Sequence, residues 1–412
     1  MWSLGALFYC YGFFQRVAPA VMIDAMMAEF AVGAAIAGML SGLYFYSYAA
    51  MQIPIGLLLD RFGPRRMLTG FALVSCLGSV LFAMAEGVSA AYLGRGLVGL
   101  GAAVTWVGTL KLASLWFPPQ RFAMVTGCTL AMGMAGAVGG QAPLAAAVAL
   151  VGWRGTMWGA AAMAGVLALV LWLFVRDGHG ARAESSGHGA RAESSGHGLG
   201  QGLKRVLGNR QTYILGIYSL FMAAPMLAFA GLWGVPYLMQ VHGLARSEAA
   251  FTTSSMLLAW GIASPLAGWI SDCMGRRRPA LITAAAFSLV LTVAALYAPG
   301  LSVGLRQVLL ACVGAFASGF VLSFATGREN SPAWAGGAAL GVINTASMSS
   351  GAIFQPLIGW LLDINWEGAL EAGGRVYSVA AWEAAFVVLP ICQVAALGAA
   401  LMVRETFCRH PD

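Results

Sequence analysis

Long apolar runs alternate with short polar connections along the whole chain, and the alternation repeats twelve times. The runs fall at about residues 3–27, 34–58, 67–86, 89–115, 121–149 and 154–175, then at 212–239, 248–271, 279–298, 303–326, 332–362 and 381–403. At 1.5 Å of rise per residue, runs of about 20 or more residues cross the roughly 30 Å hydrocarbon layer as helices. No water is available there, so each segment must satisfy its backbone hydrogen bonds internally. The pattern predicts an all-α integral membrane protein with twelve transmembrane helices, here spans 1 to 12.

The polar connections repeat as well. Span 2 stops at Asp60 and continues as Arg61-Phe62-Gly63-Pro64-Arg65-Arg66; span 8 stops at Asp272 and continues as Cys273-Met274-Gly275-Arg276-Arg277-Arg278. Arg95 after the first loop is answered by Arg306 after the second, and Pro118 by Pro332. A shared register of this kind marks a duplicated chain. The predicted organisation is a six-helix bundle over residues 1–175, a linker over 176–210, a second six-helix bundle over 211–403 and a tail over 404–412. In the linker, His-Gly-Ala-Arg-Ala-Glu-Ser-Ser-Gly starts at His179 and again at His188. Gly, Ser and mixed charge without apolar period predict a flexible tether. Its histidines 179, 188 and 197 have no cysteine or acid cluster beside them and make a poor metal site.

Composition sharpens this. Apolar residues make up 59% of 412 positions and Asp, Glu, Lys and Arg only 9%, against roughly half and a quarter in soluble domains. The net charge of +7 sits in short arginine clusters between spans, which reads as topology and excludes a nucleic-acid role. Arg61, Arg65, Arg66, Arg121, Arg276, Arg277, Arg278 and Arg328 share one side with the linker, Arg404 and Arg409, while Glu29, Glu86, Glu248, Glu367 and Glu371 mark the other. Both termini and the linker are therefore expected in the cytoplasm. The seven cysteines show no CxxC and no repeated spacing, so no disulfide or zinc site is expected. The N-terminus lacks a basic leader and a cleavage site and reads as the first span.

Two six-span halves in one orientation resemble the major facilitator superfamily, over essentially the whole chain. The loop from Gly56 to Arg66 fits that family's Gly-x-Leu-x-Asp-Arg-x-Gly-x-Arg-Arg motif, and Arg95 to Ala103 resembles its Arg-x-x-x-Gly-x-Gly motif. Span 5 carries Gly133, Gly136, Gly139 and Gly140 without the Gly-Pro pair of the family's exporters; its glycines also serve close helix packing. The stretch from Tyr9 to Pro19 looks like the branch holding phagosomal nutrient and lysosomal dipeptide transporters, which implies amino acids or short peptides, though a sugar acid, a siderophore or another organic acid suits the charges equally. The resemblance further implies a monomer in the bacterial inner membrane, with spans 1, 4, 7 and 10 around a central cavity.

Arg16 lies mid-way along span 1, too deep to reach either surface. A charge there costs at least about 2.5 kcal/mol, so it is expected to face a wet cavity, the alternative being an arginine locked to backbone carbonyls. Lys111 in span 4 is the second intramembrane cation, unless it snorkels to the headgroups or pairs with a carbonyl. No acid sits at matching depth, so the cavity selects a carboxylate or phosphate. Asp24 and Arg95, near the far ends of spans 1 and 4, are similar to the proton-coupling pair of the superfamily's sugar porters; the alternative is an ion pair without coupling. Tyr9, Tyr44, Tyr48, Trp106, Tyr218, Phe229, Trp233, Tyr237, Asn344 and Gln355 are candidates to shape the site, with packing the competing role for each aromatic. Asp60, Arg61, Arg65, Asp272 and Arg276 are expected to latch the cytoplasmic side when it closes.

No Walker motif, mid-span histidine or catalytic triad spacing occurs, so neither ATP hydrolysis nor other catalysis is expected, and no cofactor. The sequence predicts secondary active transport of a small anionic organic solute by alternating access, coupled to protons. The alternatives are a transporter-like receptor for the same ligand and an exporter of a lipophilic compound.

Overall fold

The computed structural model describes residues 1–176, 199–332, 335–371 and 374–408. The tandem linker with its three histidines, the last tail residues and the Asp60 side chain lie outside the described residues.

Every predicted span is helical. Ala34–Ala83 is one helical stretch that reverses at Gly63 (φ 77°, ψ 160°), giving spans 2 and 3. Ala142–Phe174 reverses at Gly152 (φ 73°, ψ 170°), dividing the end of span 5 from span 6. Only glycine enters this left-handed region without strain. Among the described residues, by length and composition alone, seven stretches can cross a membrane, one of them, Met124–Phe174, holding two spans; the bent helix pair of span 1 makes eight. Span 2 includes residues whose side chains lie outside those described; the others that fall short are 8 and 11, and all three carry polar positions. Their apolar count is diluted by residues such as Ser41, Ser47, Gln52, Thr252, Ser254, Asn344, Ser350 and Gln355, which a helix facing a partner can carry and one facing lipid cannot. Large apolar side chains including Leu77, Val166, Val290, Val308 and Ile391 are exposed on the outer surface, as a lipid-facing belt requires.

Spans 1, 4, 7 and 10 all depart from regular α-helix near their middles. Span 1 runs Trp2–Val17, a 3-10 turn Ala18–Val21 and Ile23–Glu29, with a 58° bend. Span 4 breaks between Val88–Ala102 and Thr105–Trp116. In span 7 a π-helix, Pro225–Trp233, joins Arg210–Met222 to Gly234–His242. Span 10 carries a 3-10 turn at Ser318–Phe320. Broken helices of this kind free backbone groups, which persist at membrane depth only where protein or a cavity satisfies them.

The two halves pack span 2 along span 11 and span 5 against span 8. Their contact is tightest on the face opposite the chain ends and the arginine-rich loops, where a Cβ at Gly38 or Gly359 would run into the partner span's backbone. Among the described residues, the hydrogen bonds joining the halves cluster at this end, at Ala34, Ala35 and Gln141. A short hairpin, Leu370–Glu371 with Gly374–Arg375, lies between spans 11 and 12 on the same face.

Candidate functional site

Pro19 organises the first half of the site. In a continuous helix residue 19 would donate to the carbonyl of Gln15, but proline has no N–H. Arg95 takes that carbonyl instead, donating from Nη1 to Gln15 O at 2.7 Å and from Nη2 to Arg16 O at 3.3 Å. It is 2% exposed and lies 4.9 Å from the Tyr44 ring. The glycines that follow it pack: a Cβ at Gly99 would strike Tyr44 of span 2, and one at Gly101 would strike Ser75 of span 3.

This corrects one expectation. Asp24 and Arg95 do not pair. Arg95 is committed to the break in span 1, while Asp24 lies beyond the bend, where Arg246 of the other half acts on it and its Oδ1 has no hydrogen-bond partner.

Arg16, at the end of the first helix of span 1, is 5% exposed. Its guanidinium lies 4.2 Å from the Phe13 ring, 5.4 Å from Tyr48, 5.7 Å from Tyr44 and 6.0 Å from Phe45. Nε has no partner, and no carboxylate forms an ion pair with Arg16 among the described residues. Tyr44 donates to Gly12 O at 2.9 Å and stacks on Tyr48. Tyr9 packs on Phe13 and Trp106 within electrostatic reach of Arg16. The structure thus brings Arg16, Tyr9, Tyr44, Tyr48 and Trp106 together. Lys111 is half-buried five residues past Trp106, roughly 7.5 Å further toward the basic face.

Other expected site residues are elsewhere. Tyr218 is buried and donates to Leu281 O at 3.2 Å inside the second half. Trp233 donates to Gln355 O at 2.9 Å and, with Phe229 and Tyr237, belongs to an aromatic cluster around Trp382 and Phe386. Asn344 is half-buried on span 11 and does not line the cavity at Arg16.

That cavity, about 10 Å³, lies between the halves: Phe13, Arg16, Val17, Phe45 and Ala137 meet Met226, Leu227, Gly231, Leu257 and Trp260. Its size suits about one water, so in this conformation the halves are closed upon it. The wall from span 7 is the π-helix, two of whose carbonyls accept from side chains: Gln355 Nε2 donates to Leu227 O at 2.7 Å and Gln141 Nε2 to Ala230 O at 2.8 Å. Met226, Leu257, Trp260 and Gln141 were not legible as site residues from sequence; Pro225 was the local signal that span 7 departs from α-helix. A larger cleft of about 630 Å³ on the basic face, beside Lys204, Arg205 and Arg210, shares no residue with this cavity.

Of the expected latch residues, Arg65, Arg61 and Asp272 each touch a residue of their own half, and the Asp60 side chain lies outside the described residues. Arg65 donates from Nε to Trp172 O at 2.9 Å and stacks on the Trp172 ring; Arg61 is exposed over Phe62. Asp272 is held at 2.6 Å by Arg277, whereas Arg276 is exposed. Arg277 is the buried member of this loop and also binds Glu329 at 2.7 Å.

The profile describing the Major Facilitator Superfamily matches residues 4–355. Curated relatives match over shorter stretches: an uncharacterized transporter YybO of Bacillus subtilis (strain 168), 38% identical over 110 residues, 26% of this chain and 25% of that protein; a quinolone resistance transporter of Acinetobacter baumannii, 31% identical over 29% of this chain and 28% of that one; and a putative tartrate transporter of Agrobacterium vitis, 27% identical over 30% and 28%. The matched stretch is thus about a quarter of these relatives' length. Across the whole fold, a bacterial homolog of the human lysosomal transporter Spinster, in an inward-facing and unoccupied conformation, superposes with a TM-score of 0.76 at 17% identity, covering 98% of this chain and 94% of that one.

Proposed function

The chain belongs to the Major Facilitator Superfamily of transporters, and on that footing we propose that it moves a small organic anion across the bacterial inner membrane by alternating access. The observation that supports this is Arg16, a mid-span charge at 5% exposure that lines the cavity between the halves without a carboxylate partner among the described residues. Cation–π contacts contribute about 0.5–2 kcal/mol each; they steady the guanidinium without neutralising it. A ligand carboxylate about 5 Å away, at an effective dielectric near 20, adds about 3 kcal/mol before desolvation. The anion brings the missing charge.

With the basic loops placed in the cytoplasm by their lysine and arginine excess, the tight contact on the opposite face closes the site toward the outside. The cargo then exchanges with the cytoplasm past Lys111. Asp24 is our candidate to carry a proton with the cargo, because a half-buried carboxylate whose cationic neighbour, Arg246, belongs to the other half changes surroundings whenever the halves part. The unit acts as a monomer.

Counterflow in proteoliposomes tests the reading. Labelled organic anion should exchange with Arg16 intact and not in Arg16→Gln, with Arg16→Lys between them because it keeps charge but loses the planar fork. Binding without counterflow in the unaltered protein would identify a receptor instead. Asp24→Asn should abolish accumulation against a gradient and leave exchange running; loss of both gives Asp24 a structural role.

A further inference from the structure

We infer that the cargo is an apolar monoanion whose anionic group bridges Arg16 of one half and Trp260 of the other. This rests on the anion reading above and narrows it. Two buried donors without a partner line the same cavity: Arg16 Nε from span 1 and Trp260 Nε1 from span 8. Trp260 is 8% exposed, its ring stacked on Phe320 at 5.0 Å. A buried N–H without an acceptor is unfavourable, and here two such groups border one space from opposite halves. A carboxylate has an oxygen for each.

Arg16 and Trp260 are the polar side chains among the residues lining the cavity. Phe13 and Phe45 on one side and Met226 and Leu257 on the other are apolar. The hydroxyls of a sugar acid would be buried there without partners. An ammonium group would find no carboxylate among the residues lining the cavity, which sets free amino acids apart from simple acids of the same shape. One cation in the cavity wall matches one negative charge. Because the two donors belong to different halves, a carboxylate held by both links the halves. The space, sized for about one water here, widens as the halves part to admit the apolar body.

The test is ligand binding to the purified full-length chain in detergent, read by thermal stabilisation and calorimetry, with four probes: 3-phenylpropionate, 3-phenylpropionamide, L-phenylalanine and L-tartrate. The acid and its amide differ in charge; the acid and phenylalanine differ by the ammonium. 3-Phenylpropionate should bind at least ten-fold more tightly than each of the others. Trp260→Phe should weaken 3-phenylpropionate about five- to ten-fold and the amide less than two-fold. If Trp260→Phe does not fold, the ranking of the four probes on the unaltered protein still decides. Tighter binding of tartrate or phenylalanine, lost in Arg16→Gln, overturns this inference and leaves the anion reading standing. Equal binding of acid and amide, unaffected by Arg16→Gln, overturns both. Failure of 3-phenylpropionate to bind also overturns the inference.

Discussion

The carboxylate of Asp363, at the end of span 11, caps the helix that begins at Ala34 in the other half of the protein. Oδ1 accepts from Ala34 N–H at 3.0 Å and Oδ2 from Ala35 N–H at 2.9 Å. Tyr377 and Arg375 hold that carboxylate, donating to Oδ1 at 2.7 and 3.0 Å. A helix N-terminus carries partial positive charge and unpaired N–H groups, so an acid supplied from across the interface satisfies them only while this face is closed. A Cβ at Gly33 would overlap the carboxylate, which explains glycine there.

Removing the cap should therefore shift the conformational balance. Loss of an N-cap costs about 0.5–2 kcal/mol, so Asp363→Ala should raise the population open on this face by roughly two- to thirty-fold. Labelling of a cysteine in place of Ala37, which is 2% exposed on this helix, would report it. Labelling at the unaltered rate in Asp363→Ala would show that packing alone closes this face.

The opposite face has its own clasp, built within one half. Arg277 and Glu329 are both about nine-tenths buried and joined at 2.7 Å, and Thr406 of the tail donates to Glu329 at 2.5 Å. Breaking a buried pair by removing one partner costs about 3–5 kcal/mol. Glu329→Gln should lower the melting temperature well beyond the change from Arg276→Gln, whose side chain is exposed. Similar losses from both would assign the clasp no stability.

The same clasp carries a pH dependence. Burial would raise the Glu405 carboxyl, but backbone N–H groups of Arg277, Phe407, Arg278 and Thr406 outweigh it and hold the group below its ordinary 4.5. A carboxylate depressed by folding stabilises fully above its unfolded value, and that contribution fades as pH falls through the folded one. Unaltered protein should melt above Glu405→Gln by a constant margin at pH 6–8, and the margin should shrink below about pH 4.5. A margin independent of pH would mean that Glu405 stabilises by packing.

Lys111 offers a test of where charge acts along the path. It is half-buried and closer to the basic face than Arg16, so on the proposed anion reading its charge acts during passage and not in the closed cavity. Lys111→Gln should reduce the transport rate of an anion several-fold while leaving its affinity in the closed state within about two-fold. The measurement is initial uptake rate against equilibrium binding. An equal loss in both would place Lys111 at the bound ligand.

How much of this was legible in the sequence depends on whether the signal was local. The spans, their duplication and the depth of Arg16 follow from hydropathy, register and counting, and the structure agrees on fold. Pairings are not local. Arg95 seemed available to Asp24 because both sit near the far ends of neighbouring spans, yet Pro19 creates an orphan carbonyl that claims Arg95 first. Tyr218 and Trp233 had the polarity expected of ligand contacts but spend it on the carbonyls of Leu281 and Gln355. Asp363 and Trp260 gave no signal at all, because each acquires a role only from a residue in the other half.

Gln141 shows how such a cross-half contact can set transport rate. Fully buried at the break within span 5 between Pro119–Gly139 and Ala142–Phe174, it donates to Ala230 O at 2.8 Å and accepts from Thr253 Oγ1 at 2.9 Å. Ala230 lies in the π-helix of span 7, whose carbonyls pair at i→i+5 in place of the tighter i→i+4. One side chain of the first half thus satisfies two polar groups of the second, and only while the halves touch. Gln141→Leu leaves the Ala230 carbonyl buried without its donor. Thr253 can fall back on the carbonyls of Ala249 and Ala250, which it already reaches at 3.3 and 3.0 Å. One unsatisfied buried group costs about 1–3 kcal/mol in the closed state, whereas water reaches it in the open one. Gln141→Leu should therefore favour opening by about five-fold to more than a hundred-fold, raising cysteine accessibility on this face, and Thr253→Val should do so much less. Equal effects from the two substitutions would mean that the hydroxyl, and not the π-helix carbonyl, is the group that Gln141 serves.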